Sequence, residues 1–247
     1  FRILIIGRAN AGKTTILQRV CRSTENPEIY DHNGNKVRKV VLALQPLVNA
    51  HGLHDIENEM IFKSNPGFVF HDSRGFEAGG SDELGRVQKF IAARADKPYL
   101  KDHLHAIWYC IPMDEHHRAF TAAETSFFTF GTGSVPVIML FTKMDALHTE
   151  AFQKLRERGL SVDQAYKQVP EHTKKMFENM PHVKDLKQTL YPPKCHVCLY
   201  EMHEPSADSS ALIRETASAL GNDVLKQLFV STQQNNLGIC MEYALSK

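Results

Sequence analysis

Phe1–Ile6 is an almost purely apolar run that stops at Gly7, the pattern of a strand buried on both faces of a parallel sheet. From Lys13 to Cys21 the apolar positions Ile16, Leu17 and Val20 fall at helical spacing, so the chain opens as strand, glycine loop and helix. Gly67–His71, Ala106–Ile111 and Val137–Thr142 predict three further buried strands, and Cys195–Tyr200 a last one. Helices are predicted over Asp82–Ala95, Arg118–Phe130 and, amphipathically, Ser209–Leu220.

The stretch 24–66 is less regular. Asn33-Gly34 signals a tight turn, a mobile loop is expected around Asn49–Asp55, and a strand near Ile56–Lys63. Residues 147–180 read as helical and highly charged, with Gly159 and Pro170 as interruptions, an insertion lying outside the sheet. Tyr191-Pro192-Pro193 marks a linker, and a final helical stretch runs from Val224 to Leu245, broken near Asn235–Gly238. Strands alternating with helices imply right-handed crossovers and a mostly parallel sheet.

Against this pattern Gly7-Arg8-Ala9-Asn10-Ala11-Gly12-Lys13-Thr14 matches G-x-x-x-x-G-K-[ST], with a buried strand before it and a helix after it. A loop that wraps phosphate with backbone N–H groups needs glycine where a side chain would collide or φ must be positive, and the helix start adds partial positive charge. Lys13 is placed to reach β- and γ-phosphates and the Thr14 hydroxyl to ligate Mg²⁺; Asn10, Ala11, Gly12 and Thr15 complete the cradle. The loop indicates a nucleoside triphosphate without choosing the base.

Asp72-Ser73-Arg74-Gly75 fits D-x-x-G at the carboxyl end of an apolar strand, where ligands of open α/β sheets sit. Asp72 is the second candidate for Mg²⁺, through water, and the Gly75 N–H for sensing the γ-phosphate. Thr142-Lys143-Met144-Asp145 follows the strand Val137–Phe141 and matches [NT]-K-x-D. Guanine presents N1–H and its 2-amino group as paired donors that one carboxylate can accept, and adenine offers neither. A buried Asp145 therefore discriminates by a factor on the order of 10⁴. The Lys143 stem would lie along the base. The bland alternative is a helix start with Asp145 near its N-terminus.

With these three motifs the chain resembles the P-loop GTPase superfamily from about Phe1 to Leu220. The resemblance implies a three-layer α/β P-loop fold with an α-helical insertion near 147–190, and leaves 221–247 as a helical extension packed on the same domain. It implies nucleotide contacts from Lys13, Thr14, Asp72, Lys143 and Asp145, and a last loop whose backbone touches the guanine oxygen. That loop is placed at Glu201-Met202-His203, with Ser231-Thr232 as the rival.

Three departures qualify it. Between Glu25 and Asp72 there is no threonine to serve as first-switch Mg²⁺ ligand; Leu47–Asp55, with His51, is the alternative switch. Phe76 stands where Ras-like enzymes carry the glutamine that orients water, so catalysis falls to Glu77, to Arg8 or Arg74, to a monovalent cation or to a partner chain. Asn10 resembles the phosphate loop of the TrmE–Era group, whose potassium-activated members use this asparagine to hold K⁺.

Composition narrows the rest. The formal charge is +1, which gives no global field for nucleic acid or an anionic membrane. No apolar run approaches the roughly 20 residues of a membrane helix. Five cysteines in a chain of 247 residues suit a reducing compartment, and the protein is read as cytoplasmic. Cys195-His196-Val197-Cys198 reads as a strand whose thiols point to opposite faces, not as a zinc site. His103, His105, His116 and His117 are expected to be solvated. The function expected is Mg²⁺-dependent GTP hydrolysis to GDP by a switch or assembly-linked domain, with an effector or activating protein and a nucleotide-dependent homodimer as partners. An ATPase or P-loop kinase, and a scaffold with negligible turnover, are the alternatives.

Overall fold

The computed structural model describes residues 1–37, 55–73, 81–95, 97–118, 120–232 and 241. Its strands are β1 (Arg2–Gly7), β2 (Glu28–Tyr30), β3 (Glu59–Phe62), β4 (Asn65–Asp72), β5 (Ala106–Pro112), β6 (Val137–Thr142) and β7 (Cys195–Cys198). They form one sheet in the order β2-β3-β4-β1-β5-β6-β7. From β4 to β7 every pairing is parallel, while β2 and β3 add an antiparallel edge. The helices are α1 (Lys13–Val20), α2 (Ser81–Ala95), α3 (Ala122–Phe127), α4 (Asp145–Glu157), α5 (Val162–Asn179), α6 (Pro181–Leu186), α7 (Ser210–Ala219) and α8 (Asp223–Ser231).

Alternation along the strands makes three layers. Ile3, Ile5, Trp108 and Cys110 face one side and pack with Ile16 and Leu17 of α1, Leu212 and Ile213 of α7 and Phe229 of α8. Leu4, Ile6, Ile107, Tyr109 and Ile111 face the other and pack with Val87 and Phe90 of α2, Phe127 of α3, Leu147 of α4 and Phe177 of α5. The fold is a three-layer α/β arrangement around a mostly parallel sheet. Between β6 and β7 the chain makes the helical excursion α4–α6. Its far end closes a small core of its own around Ala151, Leu155, Ala165 and Val169. Its base, through Phe177, Met180, Val183 and Leu186, joins the core on one face of the sheet.

Other expectations shift for local reasons. The helix expected over Arg118–Phe130 is confined to α3, because Thr121 and Glu124 form a reciprocal capping box that starts it there. Pro170 does not interrupt α5, which runs through it. His105 is not solvated. It is buried on β5's entry, accepts the Arg2 N–H at Nδ1 (2.8 Å) and bonds the Leu100 carbonyl through Nε2 (2.9 Å). Cys195 and Cys198 do fall on opposite faces of β7, one against each core. No helix among the described residues is long and apolar enough to cross a membrane.

Candidate functional site

β1 ends at Gly7, where φ is 140° and a Cβ would lie 2.2 Å from the Cys110 carbonyl oxygen. Only glycine lets β1 run this close to β5 before turning outward. The loop then winds through left-handed Asn10 (φ 57°) and Gly12 (φ 77°), and α1 begins at Lys13 with no side chain capping its first turn. Those N–H groups therefore remain available to an anion at the positive end of the helix. Lys13 Nζ donates to the Arg8 carbonyl (3.2 Å) and lies 3.4 Å from that of Gly7. It also sits 3.9 Å from Asp72 Oδ1 at the end of β4.

These groups share a cleft of about 640 Å³, lined by the phosphate loop, Thr14, Asp72, Ser73 and Lys143. It opens at the carboxyl end of β1, between β4 and β5, where the chain's crossovers diverge. Asp72 and Thr14 bring a carboxylate and a hydroxyl to one wall, the hard oxygen donors that suit Mg²⁺. A larger hollow of about 970 Å³ lies at the amino ends of β6 and β7, beside Tyr191 and Glu215, but offers no phosphate-binding loop. Buried Cys110, directly beneath the loop, has its thiol pushed up to about 12 by desolvation, so it stays protonated and chemically quiet.

The second half of the site is built at the end of β6. Thr142 is buried, and its hydroxyl has no hydrogen-bond partner among the described residues. Lys143 is left-handed (φ 54°), which turns the chain sharply into α4 and sends its ammonium to Asp114 Oδ2 at 2.7 Å. Met144 N–H donates to the Leu199 carbonyl (3.1 Å), and the Glu201 N–H donates to Asp145 Oδ1 (2.9 Å). The loop after β7 is thus brought against Asp145. Met202 buries its side chain in the core, His203 is exposed, and both carbonyls are held by Arg19 of α1. The rival Ser231-Thr232 lies at the end of α8.

Arg8 has a partner that the sequence reading did not foresee. Its guanidinium is 2% exposed and donates to Glu124 through Nε (2.8 Å) and Nη2 (3.1 Å), so it is a buried, paired cation. Burial works to lower its pKa, but the hydrogen bond and charge of Glu124 leave it raised. Arg74, Gly75, Phe76 and Glu77, the alternative switch from Leu47 to His54 and the break at Asn235–Gly238 lie outside the described residues. Sequence reasoning missed Asp114, Glu124 and Arg19; of these only Glu124 carries a local signal, the T-x-x-E spacing of a capping box.

No family model matches this chain, and no curated protein does. Among solved structures it is similar to a GDP-bound mutant of the S. thermophilus FeoB G-domain, at 14% identity and a TM-score of 0.35 over 59% of this chain and 45% of that one. It is also similar to a GDP-bound mutant of S. thermophilus NFeoB, at 15% identity and a TM-score of 0.37 over 98% of this chain and 81% of that one. The chain spans under half the length of the first of these.

Proposed function

We propose that this chain binds GTP with Mg²⁺ at the carboxyl ends of β1, β4 and β6 and hydrolyses it to GDP, as a switch or assembly-linked GTPase of the cytoplasm. The observation that carries the reading is a pairing at one end of the sheet. A cleft is lined by Lys13, Thr14, Asp72 and Lys143, and Lys143 belongs to the same turn as a carboxylate, Asp145, held by a loop amide. The first half suits a polyphosphate and the second a base with adjacent donors.

In this reading the uncapped first turn of α1 and the loop amides hold the phosphates, and Lys13 leaves its carbonyl partners to bind β- and γ-oxygens. Asp72 and Thr14 would hold Mg²⁺, which supplies positive charge against the leaving phosphate. Asp145 accepts from guanine N1–H and the 2-amino group. With Arg8 committed to Glu124, water activation is left to Glu77 or Arg74, to K⁺ held by Asn10, or to a partner: an activating protein or a second copy in a nucleotide-dependent dimer. Asn10 is exposed at the lip of the cleft, which suits a cation ligand. Residues 1–220 act as the nucleotide domain, and 221–247 as an extension, with Phe229 buried against it. A nucleotide-binding scaffold with negligible turnover is the second reading, favoured by the engagement of Arg8 elsewhere.

Turnover of GTP and ATP, followed by chromatography with Mg²⁺ in KCl and in NaCl, tests the proposal. GDP should appear from GTP alone and vanish with Lys13→Ala, and KCl should accelerate it if Asn10 holds K⁺. Equal use of ATP would overturn the base assignment, and equal rates in the two salts would remove the K⁺ role. GTP binding without turnover would select the scaffold.

A further inference from the structure

The loop after β7 is held in a conformation it would not adopt alone. Glu201 is left-handed, with φ at 44°, a region L residues with side chains enter at a cost. Its carbonyl accepts the Glu204 N–H (2.8 Å), closing a tight turn, and its own N–H is directed onto Asp145 Oδ1. Against this turn Arg19, from the last turn of α1, lays a two-pronged grip. Nε–H donates to the Met202 carbonyl (2.9 Å) and Nη2–H to the His203 carbonyl (2.8 Å). The guanidinium presents these donors in one rigid plane, so two successive peptide groups are oriented together. Because each peptide is planar and trans, drawing the Met202 carbonyl toward α1 turns the His203 N–H the opposite way.

α1 therefore has two ends with different tasks. Its first turn, at Lys13, faces the cleft, and its last, at Arg19, grips the loop that touches Asp145. One helix sets the distance between the phosphate end and the base end of the site.

We propose that Arg19 is the positioning residue for guanine specificity: its grip on Met202 and His203 holds the loop whose Glu201 N–H orients the Asp145 carboxylate. Arg19 touches no nucleotide in this account, and the inference rests on the guanine reading of Asp145.

The test compares GDP, inosine diphosphate, ADP and inorganic pyrophosphate binding by calorimetry to the wild type, Arg19→Lys and Arg19→Gln. Hypoxanthine lacks the 2-amino group, so the ratio of GDP to inosine diphosphate affinity reports how well Asp145 is aimed. Hydrogen bonds to a charged group are strong enough for that ratio to be on the order of tenfold to a hundredfold in the wild type. In both variants it should fall about tenfold, since neither side chain reproduces the rigid planar fork that orients two successive carbonyls together, while pyrophosphate affinity stays the same. A retained ratio in either variant that still binds pyrophosphate overturns the role of Arg19 and leaves the guanine reading standing. Loss of pyrophosphate binding in both also overturns it, by making Arg19 a brace of the whole domain. A wild type that does not prefer GDP over both other nucleotides removes the guanine reading itself.

Discussion

Arg8 sits inside the glycine loop after β1, where a cation invites a catalytic reading, and the fold pairs it with Glu124. Its guanidinium and the Glu124 carboxylate are both sealed from water, and the same carboxylate accepts the Thr121 N–H at 2.8 Å to start α3. A buried pair of this kind contributes little beyond an apolar substitute, but removing one member strands the other. Arg8→Met should therefore cost about 3–5 kcal/mol in urea unfolding, and adding Glu124→Gln should recover part of it. A cost under about 1 kcal/mol for Arg8→Met would show that water reaches the pair. The contrast with Lys13, Thr14 and Asp72 marks what a sequence discloses at this scale. Those three announce themselves because glycine spacing and an apolar strand end are local signals. Arg8's partner lies 116 residues away, Arg19's first partner 183 and Lys143's partner 29, and no spacing rule reaches that far.

At the scale of elements, legibility follows burial. β1, β5 and β6 are enclosed on both faces, so their continuous apolar runs stand out and their bounds were read to within a residue or so. β2 is three half-buried residues on an antiparallel edge, too short for any period to show, and it went unread. α5 shows the opposite error. Pro170 reads as a break, yet Ala165, Val169, Thr173 and Phe177 are buried at four-residue spacing and keep the helix continuous around it. Pro170 itself is exposed, so the backbone carbonyl it leaves unbonded can turn to water. The helix still lacks one hydrogen bond and crowds the preceding turn there. Pro170→Ala should accordingly raise the urea midpoint, by an amount equivalent to about 1–3 kcal/mol, with nucleotide affinity unchanged. A lower midpoint would mean that the proline's ring packing, or its restraint on the unfolded chain, outweighs the lost bond.

Across the whole molecule the two cores, one on each face of the sheet, explain why the site is where it is. Loops at the carboxyl ends of the central strands are anchored from both sides while remaining open to solvent. The formal charge is +1 with the histidines neutral, so self-repulsion is weak near pH 7; as pH falls the thirteen histidines add positive charge, and buried groups add their own contributions. His105 is one that can be isolated. It is 3% exposed and stacked on Phe1 with ring centroids 4.7 Å apart. Burial holds its imidazole down at about 4 from an ordinary 6.5, against the hydrogen bond to Leu100, with smaller contributions from the charges of the Phe1 amino group, Arg2 and His103. Between those values the unfolded chain binds the proton and the folded one does not. The stabilising contribution is therefore complete above pH 6.5 and is lost as pH falls toward 4. At pH 5 the loss from this one histidine amounts to about 2 kcal/mol. Asparagine at this position can still accept the Arg2 N–H through its carbonyl oxygen, but it does not titrate. His105→Asn should cost stability at pH 7, where packing on Phe1 is diminished. Its further decline between pH 7 and pH 5 should be about 2 kcal/mol smaller than the wild type's, because the other titrating groups cancel in the comparison. Parallel declines in urea unfolding at the two pH values would place a protonated, hydrated imidazole in the native state and contradict its burial between Arg2 and Leu100.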